Sequence, residues 1–434
     1  MTDVPTIARR SIRFLLAAIA AAGAAVAAAR WAGSGIAAAG LPLVVSLIAT
    51  ALYCQADQRV RASAFTCWVF AFLAAAMYYP WLFTNWGFDT GILVIPMLQL
   101  IMFGMGTKLS VADFLREFRR PKGIVLGTLL VFTVMPVAGV LVARAFGFAP
   151  EIAVGVILIG ACPGGAASNV MAYLARGNVA LCVSVTTLTT LLTPLATPAL
   201  MKLSAGALIE VPFLKMTMSS LNLILVPVAA GLVCHRILYG TEPVLQRRST
   251  VAAIGVLALF LAGALVPLSL PAPVSVLKPG LILGFALVGI VALARVAVAA
   301  LHGPSDWMNR ILPKTSMVSI LLYVTIVVAL NRDELLRVGL LLVAASAAHN
   351  LLGFVLGYWA SRAAGLSRRD SRTLSIEVGL KNGGLGMGLA LEALNSPNAA
   401  LAPIVFGKWM NISGSALANY WRSRPTGESD EQIR

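Results

Sequence analysis

Long apolar runs recur along the whole chain, and short segments between them carry most of the charged residues. A run of about 20 apolar residues is long enough to cross the hydrocarbon core of a bilayer as a helix. Such runs predict fourteen spans: 13–29, 35–53, 62–80, 90–107, 122–143, 152–175, 178–201, 212–235, 250–268, 279–301, 315–330, 337–361, 373–394 and 401–421. The period-two alternation of barrel strands is absent, so the pattern predicts an all-α polytopic membrane protein.

Composition and charge agree with this prediction. Hydrophobic residues make up 59% of the chain, charged residues 12%, and mean hydropathy is +0.88, which is more apolar than a soluble core requires. With the N-terminus inside, 23 of the 33 lysines and arginines fall in cytoplasmic segments and three fall within spans. The remaining seven lie outside: Arg30, Arg144, Lys202, Lys215, Lys278, Arg332 and Arg337. We therefore expect a multi-pass protein of the cell membrane, inner or plasma, with both termini cytoplasmic. The net charge of +16 then reflects cytoplasmic loops and not nucleic-acid binding.

The first 30 residues allow two interpretations. Paired arginines followed by an alanine-rich run are compatible with a signal peptide. A retained helix is favoured, because a second span follows at once after a short connection. Removal of the first segment would leave the orientation of the other spans unchanged.

Two of the predicted spans are interrupted. In span 152–175, Pro163 removes a helical hydrogen bond and two glycines follow it, after which come Ser168 and Asn169. Span 373–394 carries Glu377 and Lys381 near its middle and is cut by several glycines. A charge at that depth costs at least ~3 kcal/mol, and non-helical backbone there requires surrounding protein or a water-filled cavity. Of the 17 acidic residues, Glu377 alone lies deep inside a predicted span.

A pair of interrupted spans in the two halves of a transporter points to a binding site between them. A kinked helix with two satisfied polar residues is the alternative for the first. The half-helix N-termini would face an anion and the free carbonyls a cation. The next span is rich in hydroxyls, most of which are expected to bond to their own helix while one or two complete a cation shell. Na⁺ prefers oxygen ligands, and the predicted ones are Ser168, Asn169, Thr186 and Glu377.

An enzyme is not predicted. The five cysteines have neither metal-binding nor disulfide spacing, and no Ser-His-Asp arrangement, P-loop or metal-binding run is present. We expect no cofactor, with Na⁺ serving only as a coupling ion.

Four motifs carry a family resemblance. The runs ACPGGAASNVMAYLARGNVAL, EVGLKNGGL, NISGS and IMFGMGTKLSVADF (101–114) resemble those of the bile acid:sodium symporter family, in the same order and spacing. The resemblance extends from about Arg61 to Arg422, except for one insertion. It implies ten helices in two inverted five-helix repeats, with a panel domain and a core domain. The broken helices, 152–175 and 373–394 here, would cross in the core, and Na⁺ would drive organic anions inward.

The resemblance also implies a division of the chain. Residues 1–60 form an additional N-terminal helix pair, and 61–248 form the first repeat and the start of the second. Residues 249–303 form an inserted pair, 304–422 complete the second repeat, and 423–434 form a cytoplasmic tail. About four helices are therefore additional to the family's ten.

The family's first sodium site carries over onto Ser168, Asn169, Thr186 and Glu377, although a further serine of that site is Cys182 here. Sulfur is a poor ligand for Na⁺. Two glutamines of the second site correspond to Val131 and Lys381, and neither side chain can coordinate sodium, so this site is predicted to be lost. Lys381 has three interpretations: a fixed ammonium in place of the second Na⁺, which we favour, a group that exchanges protons during transport, or a lysine that snorkels to the interface.

Asn382 and Asn411 resemble substrate contacts of the family, and Lys408 lies about one turn from Asn411. Lys408 either faces the cavity or reaches a carbonyl or the lipid interface. The substrate would be a carboxylate such as a keto acid, pantoate or a steroid acid, and the sequence does not choose among them.

The sequence thus predicts a symporter of a small organic anion, coupled to Na⁺ at one site or to H⁺, that works by alternating access in the bilayer. The alternative is a cation/proton antiporter without an organic substrate. A sensor or structural membrane protein would explain the added helices but not the two interrupted spans. No oligomeric state is indicated.

Overall fold

The computed structural model describes residues 6–34, 36–57, 60, 64–107, 121–165, 167–240, 242–304 and 307–424. These ranges contain sixteen helices of eight residues or more, which we name in chain order. They are α1 Thr6–Ser34, α2 Gly40–Ala56, α3 Ala64–Tyr78, α4 Val94–Gly106, α5 Pro121–Ala145, α6 Pro150–Ala161, α7 Ala167–Leu174, α8 Val179–Ala205, α9 Phe213–Tyr239, α10 Arg248–Leu265, α11 Lys278–Ala300, α12 Trp307–Leu330, α13 Arg332–Ala363, α14 Arg368–Gly379, α15 Gly383–Glu392 and α16 Pro397–Arg422.

Each of the fourteen predicted spans corresponds to one helix or to one broken pair, and the prediction of an all-α polytopic membrane protein is confirmed. Among the described residues, eight helices are long and apolar enough to cross a membrane. The two broken pairs are α6–α7 and α14–α15, which are the two spans that the sequence predicts to be interrupted. Several helices begin before the apolar run does, because backbone hydrogen bonding continues through polar residues at the membrane surface. The inverted repeat and the panel and core domains stay predictions.

Two compact units are distinguishable. The first comprises Met1–Met97 and Asn309–Leu336, and the second comprises Leu98–Met308 and Arg337–Arg434.

In the first unit, α1 and α2 form a close antiparallel hairpin. The Ser46 hydroxyl donates to the carbonyl of Ala20 at 2.7 Å. Gly40 lies against the ring of Tyr78 on α3, where a Cβ would come within 2.5 Å of the ring. In the same unit, Arg332 donates to the Met77 carbonyl at 2.5 Å. The predicted N-terminal helix pair therefore packs as a unit onto α3.

In the second unit, the broken helices occupy the centre. Every residue of α14 from Ser371 to Gly379 is buried, although its sequence is among the most polar of the helices. Buried polar groups are tolerated where hydrogen bonds satisfy them. Arg372, for example, donates to the carbonyls of Ala175, Trp421 and Arg424 at 3.3, 3.3 and 3.0 Å. The Arg372 side chain thereby connects α14 with the residue that follows α7 and with the C-terminal end of α16.

The inserted helices α10 and α11 pack closely on each other through small residues. A Cβ on Gly289 would lie 2.6 Å from the Leu259 side chain, and one on Gly255 would lie 2.9 Å from Leu293. α11 also packs against α9, where Gly284 faces Val226 and Ala230. Glycine at these contacts lets the helix backbones approach, as is usual between helices in a membrane.

Candidate functional site

The two helix breaks lie against each other. The amide of Gly165 donates to the carbonyl of Leu380 at 3.0 Å, and the amide of Asn382 donates to the carbonyl of Pro163 at 2.9 Å. Gly164 and Lys381 thus form an isolated antiparallel bridge. Each break thus supplies hydrogen-bond partners for backbone groups of the other break, which have no partner within their own helix. Irregular backbone at membrane depth is stable only when such groups are paired within the protein. The broken helices therefore meet at their interruptions.

The carboxylate of Glu377 lies at this meeting point and is fully buried. One oxygen accepts a hydrogen bond from the Thr186 hydroxyl at 2.8 Å. The other accepts from the Ser168 hydroxyl and from the Cys182 thiol, the latter at 3.1 Å. Gly164 contacts the same carboxylate so closely that a Cβ there would overlap the Oε1 atom. Three helices, α7, α8 and α14, thus direct donors and a carboxylate to one point.

Three of the four predicted cation ligands are therefore brought together. The hydroxyl oxygens of Ser168 and Thr186 lie 3.5 Å apart, and both contact Glu377. Asn169 follows Ser168 on α7, and its buried Oδ1 atom has no partner among the described residues. An unpaired buried acceptor is costly and calls for an explanation such as a bound ion. Cys182 lies in the same cluster, 3.4 Å from the Ser168 hydroxyl.

The two residues of the altered second site also meet. Lys381 is fully buried, and its ammonium donates to the main-chain carbonyl of Val131 on α5 at 3.1 Å. The side chain does not reach a surface, so the snorkelling interpretation is wrong. Glu377 and Lys381 are both described residues, and no ion pair within 4.0 Å joins them. The ammonium is thus held beside the carboxylate site by α5.

The predicted substrate residues are not brought into contact with Glu377. Asn382 caps α15, because its side chain accepts from the Leu385 amide at 3.1 Å. Asn411 is exposed and donates to the carbonyl of Gly407 on its own helix at 2.9 Å. Lys408 is half-buried, and its ammonium forms no hydrogen bond with any described residue. Their contacts with a substrate stay predictions.

Asn350 supports the site but is not among the residues predicted from the sequence. Asn350 on α13 donates to the free carbonyl of Gly379, at the end of the half-helix α14, at 2.8 Å. Ser413, in the NISGS motif, donates to the Asn350 side chain at 2.5 Å. The position of Asn350 in the middle of an apolar span, next to His349, is the signal that could have identified it.

A second polar cluster lies at the other end of α15. Asn222, in a π-helical turn of α9, donates to the Glu392 carboxylate at 2.8 Å. The Oδ1 atom of Asn222 accepts from the Gly280 amide at 2.9 Å and from Gln99 at 3.3 Å. The second carboxylate oxygen of Glu392 is buried and has no partner among the described residues. Asn222 therefore connects α4, α9, α11 and α15 by hydrogen bonds. No motif in the sequence predicts this role.

Comparison with known proteins gives consistent results. A sequence model of the Sodium Bile acid symporter family matches residues 95–276. An uncharacterized sodium-dependent transporter of Bacillus subtilis is 33% identical over 360 residues, which are 83% of this chain and 91% of that protein. A probable chloroplastic sodium/metabolite cotransporter of Arabidopsis thaliana is 29% identical over 79% of this chain and 68% of its own length. An ileal sodium/bile acid cotransporter of Oryctolagus cuniculus is 48% identical over 96 residues, which are 22% of this chain and 28% of that protein.

Proposed function

This chain belongs to the sodium bile acid symporter family, a family of transporters and not of enzymes, and we propose that it couples Na⁺ binding at Glu377 to the transport of a small organic anion. The relatives named above are a sodium-dependent transporter and sodium cotransporters, which supports sodium as the coupling ion. The location consistent with the charge distribution is the cell membrane, with both termini cytoplasmic.

The observation that carries this proposal is the burial of Glu377 among oxygen atoms at the meeting point of two broken helices. A carboxylate without water must be neutralised by a proton or a cation, because its desolvation costs several kcal/mol. The hydroxyl oxygens of Ser168 and Thr186 already contact it, and the Oδ1 atom of Asn169 is without a partner. A hard cation prefers such oxygens. On binding, the hydroxyl protons would rotate away and the same oxygens would turn to the ion.

Lys381 supports a stoichiometry of one cation. Its ammonium lies at the Val131 carbonyl, where a second ion would need oxygen ligands and a free position. A fixed ammonium near Glu377 supplies the positive charge that a second sodium ion would bring. Unlike an ion, the ammonium does not leave during the transport cycle. We therefore propose that one Na⁺ accompanies each anion.

The anion would bind near the two half-helix N-termini, at Ala167 of α7 and Gly383 of α15. Their free amides and positive dipole ends favour negative charge. Asn382, Asn411 and Lys408 would complete the contacts with a carboxylate, a class that includes keto acids, pantoate and steroid acids.

Alternating access would require α15 to change its contacts with the helices around it. The Asn222 cluster is a suitable place for this change, since a single side chain links Glu392 on α15 to Gly280 on α11 and to Gln99 on α4. Breaking two or three hydrogen bonds at one residue frees the end of the half-helix without disturbing an apolar core.

The test is thermal unfolding of the purified protein in NaCl and in matched KCl, followed by uptake of labelled carboxylates into proteoliposomes. A ligand that binds only the folded state raises its stability with concentration. We expect a sodium-specific shift that Glu377→Gln removes, and sodium-driven uptake of a carboxylate. Glu151→Gln, at an exposed residue, should keep both. Equal responses to the two salts would contradict sodium coupling. Proton efflux in exchange for Na⁺, without any anion, would establish the antiporter instead.

A further inference from the structure

A cavity of about 410 Å³ lies between α9 and the inserted pair α10–α11. Its lining is entirely apolar and comes from all three helices: Val226, Ala229, Ala230, Val233, Ile254, Leu257, Ala258, Leu261, Leu281, Gly284, Phe285 and Val288. Several of these residues are exposed at the outer surface, Leu257 at 57% and Val233 at 46%. The cavity is therefore a groove that opens toward the surrounding bilayer. Its volume lies in the range of small-ligand sites, about 300–1,000 Å³.

One end of this groove is basic. Three arginines lie seven residues from a lining residue: Arg236 on α9 from Ala229, Arg295 on α11 from Val288, and Arg247, the residue immediately before α10, from Ile254. Seven residues are two helical turns, which places Arg236 and Arg295 on the same helix face as their lining residue, about 10 Å away. Arg247 has extended backbone and lies at the N-terminal end of α10. The helices alternate in direction, so all three arginines come to the same end. Arg295 donates to the carbonyl of Ile237 and so connects α11 with α9 at this end.

The three arginines at this end are accessible to a ligand. Arg236 and Arg247 are exposed, and Arg295 is half-buried. In the part of the chain that the structure describes, none of the three forms an ion pair with a carboxylate. A guanidinium has five donors in a fork that suits a phosphate, and Arg295 uses one of them in its hydrogen bond with a described residue, the Ile237 carbonyl.

We propose that this groove binds one anionic phospholipid of the membrane, with an acyl chain in the apolar cavity and the headgroup phosphate on Arg236, Arg247 and Arg295. The combination of a wholly apolar groove and a basic end is the chemistry of such a lipid, since basic pockets between membrane helices bind anionic headgroups. A zwitterionic lipid would fill the cavity but leave the net charge of the arginines uncompensated.

The test is native mass spectrometry of the purified, delipidated full-length chain, titrated with phosphatidylglycerol or with phosphatidylcholine of the same acyl chains. We expect one phosphatidylglycerol to bind at least tenfold more tightly than phosphatidylcholine. The double variant Arg236→Gln/Arg247→Gln should bind phosphatidylglycerol about thirtyfold more weakly, since each surface arginine contributes roughly a fivefold effect. Both arginines are exposed, so we expect their replacement to leave the fold unchanged. The result can therefore be interpreted even if variants of the cavity are unstable.

Two matched controls separate the site from the general lipid annulus. Gly284→Leu would fill the cavity, where a Cβ has its nearest neighbours at an ordinary 3.5 Å, and should abolish the tight binding. Gly263→Leu on α10, where a Cβ meets nothing within 4 Å, should bind as the wild type does. Arg144→Gln on α5 is the control for charge. Equal affinity for the two lipids, or unchanged phosphatidylglycerol binding in the double arginine variant, would overturn the proposal.

Discussion

The ammonium of Lys381 donates a hydrogen bond to the main-chain carbonyl of Val131 at 3.1 Å, and both residues are fully buried. Lys381 lies in the break between α14 and α15, while Val131 lies in the middle of the unbroken helix α5. The bond therefore holds a positive charge in the break beside the carboxylate site, without an ion pair to Glu377. The proposal of one Na⁺ per anion rests on this position of Lys381.

Replacement of Lys381 tests that role directly. Lys381→Gln removes the charge and adds an amide oxygen, so we expect the response of thermal stability to log NaCl to steepen toward two ions. Each bound ion adds about 1.4 kcal/mol per tenfold increase in concentration above its Kd. Lys381→Met removes the charge without adding an oxygen and should keep the slope of one ion. Unchanged slopes in both variants, at constant ionic strength, would contradict the assignment.

Cys182 should limit the affinity for sodium. Its sulfur lies 3.1 Å from the Glu377 carboxylate, in a position where an oxygen would serve as a ligand. Cys182→Ser replaces a soft atom by a hard one, and we expect Na⁺ to bind several-fold to about tenfold more tightly. The same titration of unfolding temperature measures this. Cys234→Ser, at a buried cysteine on α9, is the control and should change stability but not the sodium affinity. A similar gain in both variants would show that the sulfur of Cys182 is not the cause.

Gly164 should tolerate no side chain. A Cβ there would overlap the Glu377 carboxylate, because the first break passes directly over it. We expect Gly164→Ala to lose the sodium-dependent shift and about 1–3 kcal/mol of stability. Gly263→Ala, in open space on α10, should be neutral or stabilising by up to about 1 kcal/mol, since alanine favours a helix interior. A normal sodium response in Gly164→Ala would mean that the carboxylate does not bind the ion in this position.

Asn222 should matter for the motion and not for ion binding. Asn222→Ala leaves the Glu392 carboxylate and the Gly280 amide without this partner, and each buried unsatisfied group costs about 1–3 kcal/mol. We expect a lower unfolding temperature and an altered uptake rate, with the sodium affinity unchanged because Asn222 does not contact Glu377. Asn398→Ala, which removes an exposed hydrogen bond to Glu151, should stay within about 0.5 kcal/mol of the wild type. A changed sodium affinity in Asn222→Ala would contradict the separation of the two clusters.

The spans, the two interruptions and the deep burial of Glu377 follow from the sequence alone. A bilayer imposes its constraint locally: every apolar run must satisfy its own backbone, and a charge or a proline within the run stands out. The sequence also allows Asn382 to be predicted as a helix cap, because asparagine is a common N-cap residue. The substrate contacts of Asn382 and Asn411 rest on the resemblance, and that of Lys408 rests on its position one turn from Asn411; all three stay predictions.

The partners of the polar residues were decided only by the tertiary structure. Lys381 and Val131 are separated by 250 positions in the chain, and Asn222 and Glu392 by 170. No local periodicity links such residues, since which carbonyl or carboxylate a buried group reaches depends on how whole helices pack. The groove beside α10 and α11 is likewise not predictable from local sequence, because its lining residues lie in ordinary apolar runs of three helices. Its basic end forms only because the alternating directions of these helices bring three distant arginines together. Hydropathy places each segment in the membrane, and packing alone determines what its side chains face.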